Sequence, residues 1–138
     1  MKELNIPFKL GMQYDNWEFD LEVVQERLQG YDSYIYIGKK FNKFLNNSKF
    51  KTELIFSFDT LEAVLMTFKN SDSDYNVLSE KVSLKLNCFS EILENTEIKL
   101  CKFVTKFNEV WVIENNSNLY ILVSNPKFSD TIISSLLG

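Results

Sequence analysis

The sequence predicts a single α+β domain whose sheet is mainly antiparallel. Three observations carry this reading. Period-two runs rich in β-formers recur along the 138 residues, and two of them flank the turn Asn115-Asn116-Ser117-Asn118 as a hairpin. Apolar stripes at helical spacing lie between such runs. The order of the two types is irregular, without the β-α alternation that builds a doubly wound parallel sheet. The expected architecture is a sheet of about five or six strands with helices packed on one face, and residues 1–138 form one globular unit.

In chain order, Trp17 and Phe19 alternate with Asn16, Glu18 and Asp20, which predicts a strand to about Phe19. Trp17, Leu21, Val24 and Leu28 also fit a helical stripe. The conflict resolves as a helix over 21–29, with Asp20 as N-cap, Glu22 in the positive first turn and Gly30 beyond its end. Ser33 to Ile37 reads as a strand with Tyr34 and Tyr36 facing oppositely to Ile35 and Ile37, and Lys51 to Phe58 as another. Asp59 with Glu62 three residues later resembles a capping box. It predicts a helix near 60–69 whose apolar face is Leu61, Val64, Leu65 and Phe68. Asp74 suits a second N-cap, and residues 75–94 are read mostly as helix, although Val82, Leu84 and Leu86 also alternate. Ile98, Leu100 and Phe103 begin a strand, the hairpin spans 109–124, and Pro126 ends it. Ser129 or Asp130 then caps a helix over 129–137 carrying Ile132, Ile133, Leu136 and Leu137. The expected core contains Trp17, Leu21, Ile35, Ile37, Leu54, Phe56, Val64, Leu65, Val112, Ile121 and Val123.

Composition removes several function classes. Twenty aromatics, with 45% apolar residues overall, can offset the chain entropy of folding, so disorder is not expected. No histidine is present, which removes the commonest general base near neutral pH and every Ser-His, Cys-His and His-zinc arrangement. Cys88 and Cys101 form no C-x-x-C and are expected as free thiols in a reducing cytosol. The four glycines make neither G-x-G-x-x-G nor a Walker loop, so phosphate-cradling enzymes are disfavoured. No apolar run reaches the length of a membrane span, and the opening MKELNIPFKL has no signal-peptide core. The expected location is cytoplasmic. Fourteen lysines against one arginine suit an AT-rich microbial coding sequence. No enzyme activity, metal or cofactor is expected.

Charge is segregated. Residues 1–32 hold seven acids and three bases, whereas 33–52 hold five lysines and no acid. Asp15, Glu18, Asp20, Glu22 and Glu26 form the densest acidic stretch, and Asp32 follows. As an extended segment, Glu18, Asp20 and Glu22 would share one face. Such acids can be a solvated outer face, a carboxylate pair of glycosidase type, or a face that receives a basic partner. Tyr14, Tyr31 and Tyr34 are the aromatic anchors such a face would use. The basic stretch interleaves Lys39, Lys40, Lys43, Lys49 and Lys51 with Phe41, Phe44 and Phe50, the composition of a single-stranded nucleic-acid platform. The overall acidity, −4, and the absence of arginine from this stretch argue against that use, and the favoured reading is a solvated lysine loop with its phenylalanines in the core. Asp72, Asp74 and Asn76 begin like an EF-hand loop, but Val77 and Ser83 stand where Gly and Glu are required. Ser48-Lys49-Phe50-Lys51 matches S-x-x-K without its companion motifs.

By elimination and by charge, the expected role is protein recognition: an immunity protein that binds a cognate basic toxin, such as a nuclease, through Tyr14, Asp15, Glu18, Asp20, Glu22, Glu26, Tyr31 and Tyr34. The alternatives are nucleic-acid binding through Lys39–Lys51 and a scaffold whose acids serve solubility.

Overall fold

A computed structural model describes residues 3–25, 28–48, 50–69, 74–88, 90–92, 98–106, 108–115 and 118–137. The elements are β1 (Leu21–Val24), β2 (Asp32–Tyr36), β3 (Phe50–Ser57), β4 (Thr60–Lys69), α1 (Tyr75–Leu86), β5 (Glu91–Ile92), β6 (Lys99–Val104), β7 (Glu109–Asn115), β8 (Asn118–Ser124) and α2 (Ser129–Leu137). The strands make one sheet in the order β1-β2-β3-β4-β8-β7-β6-β5, with antiparallel pairing throughout. Two meanders, β1–β4 and β5–β8, thus meet where β4 pairs with β8, and α1 carries the chain between them. Among the described residues the protein is mainly β with two helices. Its sheet is larger than expected: seven strands of four residues or more, and the two-residue β5.

The extra strands come from two segments read as helix. Thr60–Lys69 is the longest strand, at the centre of the sheet, and Leu61, Ala63, Val64, Leu65, Met66 and Phe68 are all buried. A strand buried on both faces loses its period-two signature, and its run of apolar residues imitates a helical stripe. Asp59 is accordingly no N-cap. Phe58 and Asp59, at φ +52 and +64, make the two-residue turn of the β3–β4 hairpin, the left-handed pair that primed turns demand. Leu21–Val24 is likewise a strand, not the start of a helix over 21–29, because its pairing with β2 gives a β-branched segment ladder bonds that a short helix could not match. The residues before it, expected as a strand to Phe19, form two 3₁₀ turns, Tyr14–Asn16 and Glu18–Asp20.

Several other elements lie where the sequence reading places them. Strands cover 32–36, 50–57 and 99–104, and the hairpin and last helix lie within a residue or two of expectation. Asp74 caps α1, its Oδ1 accepting from the amides of Asn76 at 2.7 Å and Val77 at 3.4 Å. The helix ends at Asn87 in the left-handed conformation, short of the expected 94: Glu91–Ile92 are strand β5, and Phe89 and residues 93–94 lie outside the described residues. Ser129 does not cap α2; its Oγ donates to Glu109 Oε1 at 2.8 Å, tying the helix to β7.

The helices do not share a face of the sheet. On one face α1 packs Tyr75, Leu78, Val82 and Leu86 against Leu54, Phe56, Val64, Met66, Val112, Ile121 and Val123. On the other, α2 sets Ile132 and Ile133 against Ile55, Ala63, Leu65, Trp111, Ile113 and Leu122. A two-faced central sheet requires cover on both sides, which a single helical layer could not supply. The N-terminal segment completes the first layer. Leu4, Ile6 and Phe8 are buried while Glu3, Asn5, Pro7 and Lys9 are exposed, an alternation that the sequence displays and that marks this segment as core. Trp17, Leu21 and Ile35 are only half-buried and Ile37 is exposed, so the expected core loses its β1–β2 members: that hairpin lies at the sheet edge. No helix among the described residues is long and apolar enough to cross a membrane.

Candidate functional site

The residues before the first 3₁₀ turn zip onto the start of β4. The amide of Gly11, at φ +92, donates to Leu61 O at 2.8 Å, that of Leu61 to Met12 O at 2.9 Å, and that of Tyr14 to Asp59 O at 3.0 Å. Tyr14 is thereby held at the β3–β4 turn, at one end of the sheet. Its ring lies 4.8 Å from that of Tyr34 on β2, and both rest edge-on against Phe56, at 5.8 and 5.7 Å. Rings in offset and edge-to-face contact hold one another rigid, so this pair is a preformed aromatic surface.

Carboxylates border it. Asp32 is on the same strand and face as Tyr34, paired in register with Phe56, and Asp59 is in the turn that receives Tyr14. Partial burial pushes the Tyr34 phenol above its ordinary pKa, with Tyr14, Asp32 and Asp59 adding to the effect. The phenol therefore remains protonated and can donate a hydrogen bond at any physiological pH. Phe58, beside Asp59, is 97% exposed, and Phe19, in the second 3₁₀ turn, is 92% exposed. Glu62, at the start of β4, has its carboxyl raised by burial and pulled back by Lys127.

This end of the sheet gathers some of the expected residues and leaves others out. Tyr14 and Tyr34 come together, and Asp15 adjoins them on the first 3₁₀ turn, exposed. Tyr31 is elsewhere: it packs edge-on against Phe128 at 5.4 Å, on the face covered by α2. Glu18, Asp20 and Glu22 do not form one strand face, since the first two lie in a 3₁₀ turn and only Glu22 is on β1, on the side opposite Tyr34. Glu26 lies outside the described residues.

No family model, curated protein or solved structure matches this chain. The site stands on its geometry alone.

The basic segment is not a stacking platform. Phe41 and Phe44 are only 9% and 6% exposed, and Phe50 packs on Phe41 at 5.3 Å and on Phe68. The rings of Phe41 and Phe44 belong to the core, and that of Phe50 is half-buried against it. Lys43 instead joins Lys81 and Lys85 of α1 around a groove of about 860 Å³, where Lys81 Nζ donates to Leu45 O at 3.2 Å. Lys49 lies outside the described residues, as does Asp72 of the EF-hand-like run.

Sequence reasoning missed Phe58 and Asp59 as site residues. The signal was there: Phe-Asp separates two apolar runs, 51–57 and 60–69, by the two residues of a tight hairpin. Without Asn-Gly or Asp-Gly, the Asp-x-x-Glu pattern pointed to a cap.

Proposed function

We propose that this chain is a non-catalytic protein-binding domain that captures a basic partner at the acidic, aromatic end of its sheet, as an immunity protein does when it neutralises a cationic toxin in the cytosol. The observation that carries the reading is the Tyr14–Tyr34 pair, bordered by Asp32 and Asp59 and next to an almost fully exposed Phe58. Rigid aromatics with a polar tip are the side chains on which binding energy concentrates, and large exposed rings have little reason to remain in water unless they are covered by a partner. Carboxylates around them raise the encounter rate with a cationic surface, and nucleases carry such surfaces because they bind phosphate.

The test is co-expression with a toxic product of the adjoining gene. The intact chain should rescue growth, and Asp32→Lys with Asp59→Lys should abolish rescue while leaving the protein folded and soluble. Association measured in solution should slow in the double variant and lose its salt dependence. Equal rescue by intact and charge-reversed chains, or a neighbour that is harmless by itself, contradicts the reading.

A further inference from the structure

The two edges of the sheet are built differently. At one, β5 has two residues, and Glu91 Oε2 is 3.6 Å from Lys102 Nζ of the neighbouring strand. At the other, β1 presents Leu21–Val24, and among the described residues nothing pairs with its outer side. The phase of the ladder identifies which groups are open. The amide of Ile37 donates to Asp20 O at 2.8 Å, so the hydrogen-bonded pairs are 20 with 37, 22 with 35 and 24 with 33. The N–H and C=O groups of Leu21 and Val23 therefore point away from β2, toward the free edge.

Side chains add an address. Val23 is exposed, pairs in register with Tyr34, and so extends the Tyr14–Tyr34 surface to the rim of the sheet. Phe19 and Ile37, both exposed, flank the start of the strand. Glu18 and Glu22 are also exposed, and Glu22 lies on the face opposite Val23. A second copy of this edge is a poor occupant. Antiparallel pairing across a two-fold axis would bring two sets of Glu18, Asp20 and Glu22 together, and like charges on an edge are a common device against self-pairing. The charge that repels a copy attracts a strand bearing lysine or arginine.

We infer that β1 receives an extended segment of the partner as an added antiparallel strand, with basic side chains beside Glu22 alternating with apolar ones beside Val23 and Tyr34. This rests on the reading of the chain as a binder of a basic protein and specifies how the partner is held. The backbone groups of Leu21 and Val23 supply the hydrogen bonds, and the alternation of Glu22 with Val23 selects the sequence.

The probe is an alternating lysine–valine octapeptide, added to the full chain and followed by residue-resolved amide hydrogen exchange. An alternating glutamate–valine octapeptide is the control. The lysine peptide should slow exchange at Leu21 and Val23 several-fold and the glutamate peptide should not. Val23→Pro removes an outward N–H without touching the β1–β2 ladder and should eliminate the protection. Glu22→Lys leaves the backbone intact and should transfer the preference to the glutamate peptide, which keeps the test decisive if the proline variant fails to fold. Protection around Tyr14, Tyr34 and Asp59 with unchanged rates at Leu21 and Val23 overturns strand addition and leaves the acidic docking end standing. Protection nowhere, or equal protection by both peptides, also overturns strand addition, and the co-expression result then decides the parent reading separately.

Discussion

Met66→Ala separates a strand from a helix at residues 60–69. In a helix with the stripe Leu61, Val64, Leu65 and Phe68, Met66 would lie off the apolar face, and its truncation would cost no more than about 0.5 kcal/mol. In β4 its side chain is fully buried, paired in register with Thr52 and Ile121 in the core that α1 covers. Truncation removes three heavy atoms from that layer. At about 0.8 kcal/mol for each buried methylene-sized group, the transfer loss is about 2.4 kcal/mol, and a partly collapsed cavity adds about 1 kcal/mol. The expected total is about 3 kcal/mol, a substantial part of the stability of a domain this size. Urea unfolding followed by circular dichroism should show the midpoint fall with an unchanged slope. A loss below about 0.5 kcal/mol would refute the placement of Met66 in a two-faced central strand.

Three further outcomes follow from particular contacts. Phe58→Gly relieves a left-handed conformation, so thermal unfolding should be unchanged or improved by up to about 1 kcal/mol, while partner affinity falls roughly thirtyfold; a destabilised variant would contradict the turn. At Gly38 an added Cβ would lie 2.5 Å from the Tyr36 hydroxyl, which accepts the Lys40 amide at 3.1 Å, so Gly38→Ala should cost about 1–3 kcal/mol in denaturant unfolding, and a neutral result would contradict that packing. The Tyr34 phenol holds its proton more tightly folded than unfolded, so its contribution is intact below about pH 10 and is lost as pH rises beyond that; Asp32→Asn with Asp59→Asn should shift its ultraviolet phenolate titration downward, and an unmoved titration would remove both carboxylates from its surroundings.

The site was legible in part. Residue type and charge single out Tyr14, Asp15 and Tyr34 as candidates, because acids with nearby tyrosines are a local property of composition. That Tyr14 meets Tyr34 while Tyr31 departs to Phe128 depends on the pairing of residues 11–14 with Asp59 and the start of β4, contacts between residues distant in sequence that no local pattern encodes.

The C-terminal hairpin and helix, the Asp74 cap and the interior place of Leu54, Phe56, Val112 and Ile121 are legible in the sequence alone. Each is written in turn or cap chemistry or in a run of β-formers. Tertiary structure decided the rest. Thr60–Lys69 is a strand because neighbours on both sides satisfy its backbone and helices on both faces cover its side chains, conditions under which alternation disappears. Leu21–Val24 is a strand because β2 pairs with it. Where turn chemistry brackets a run of β-formers, as at Asn115 to Asn118, the chain states its own conformation; where that signal is missing, as at Phe58-Asp59, the surroundings choose between a helix and a strand that the same residues permit.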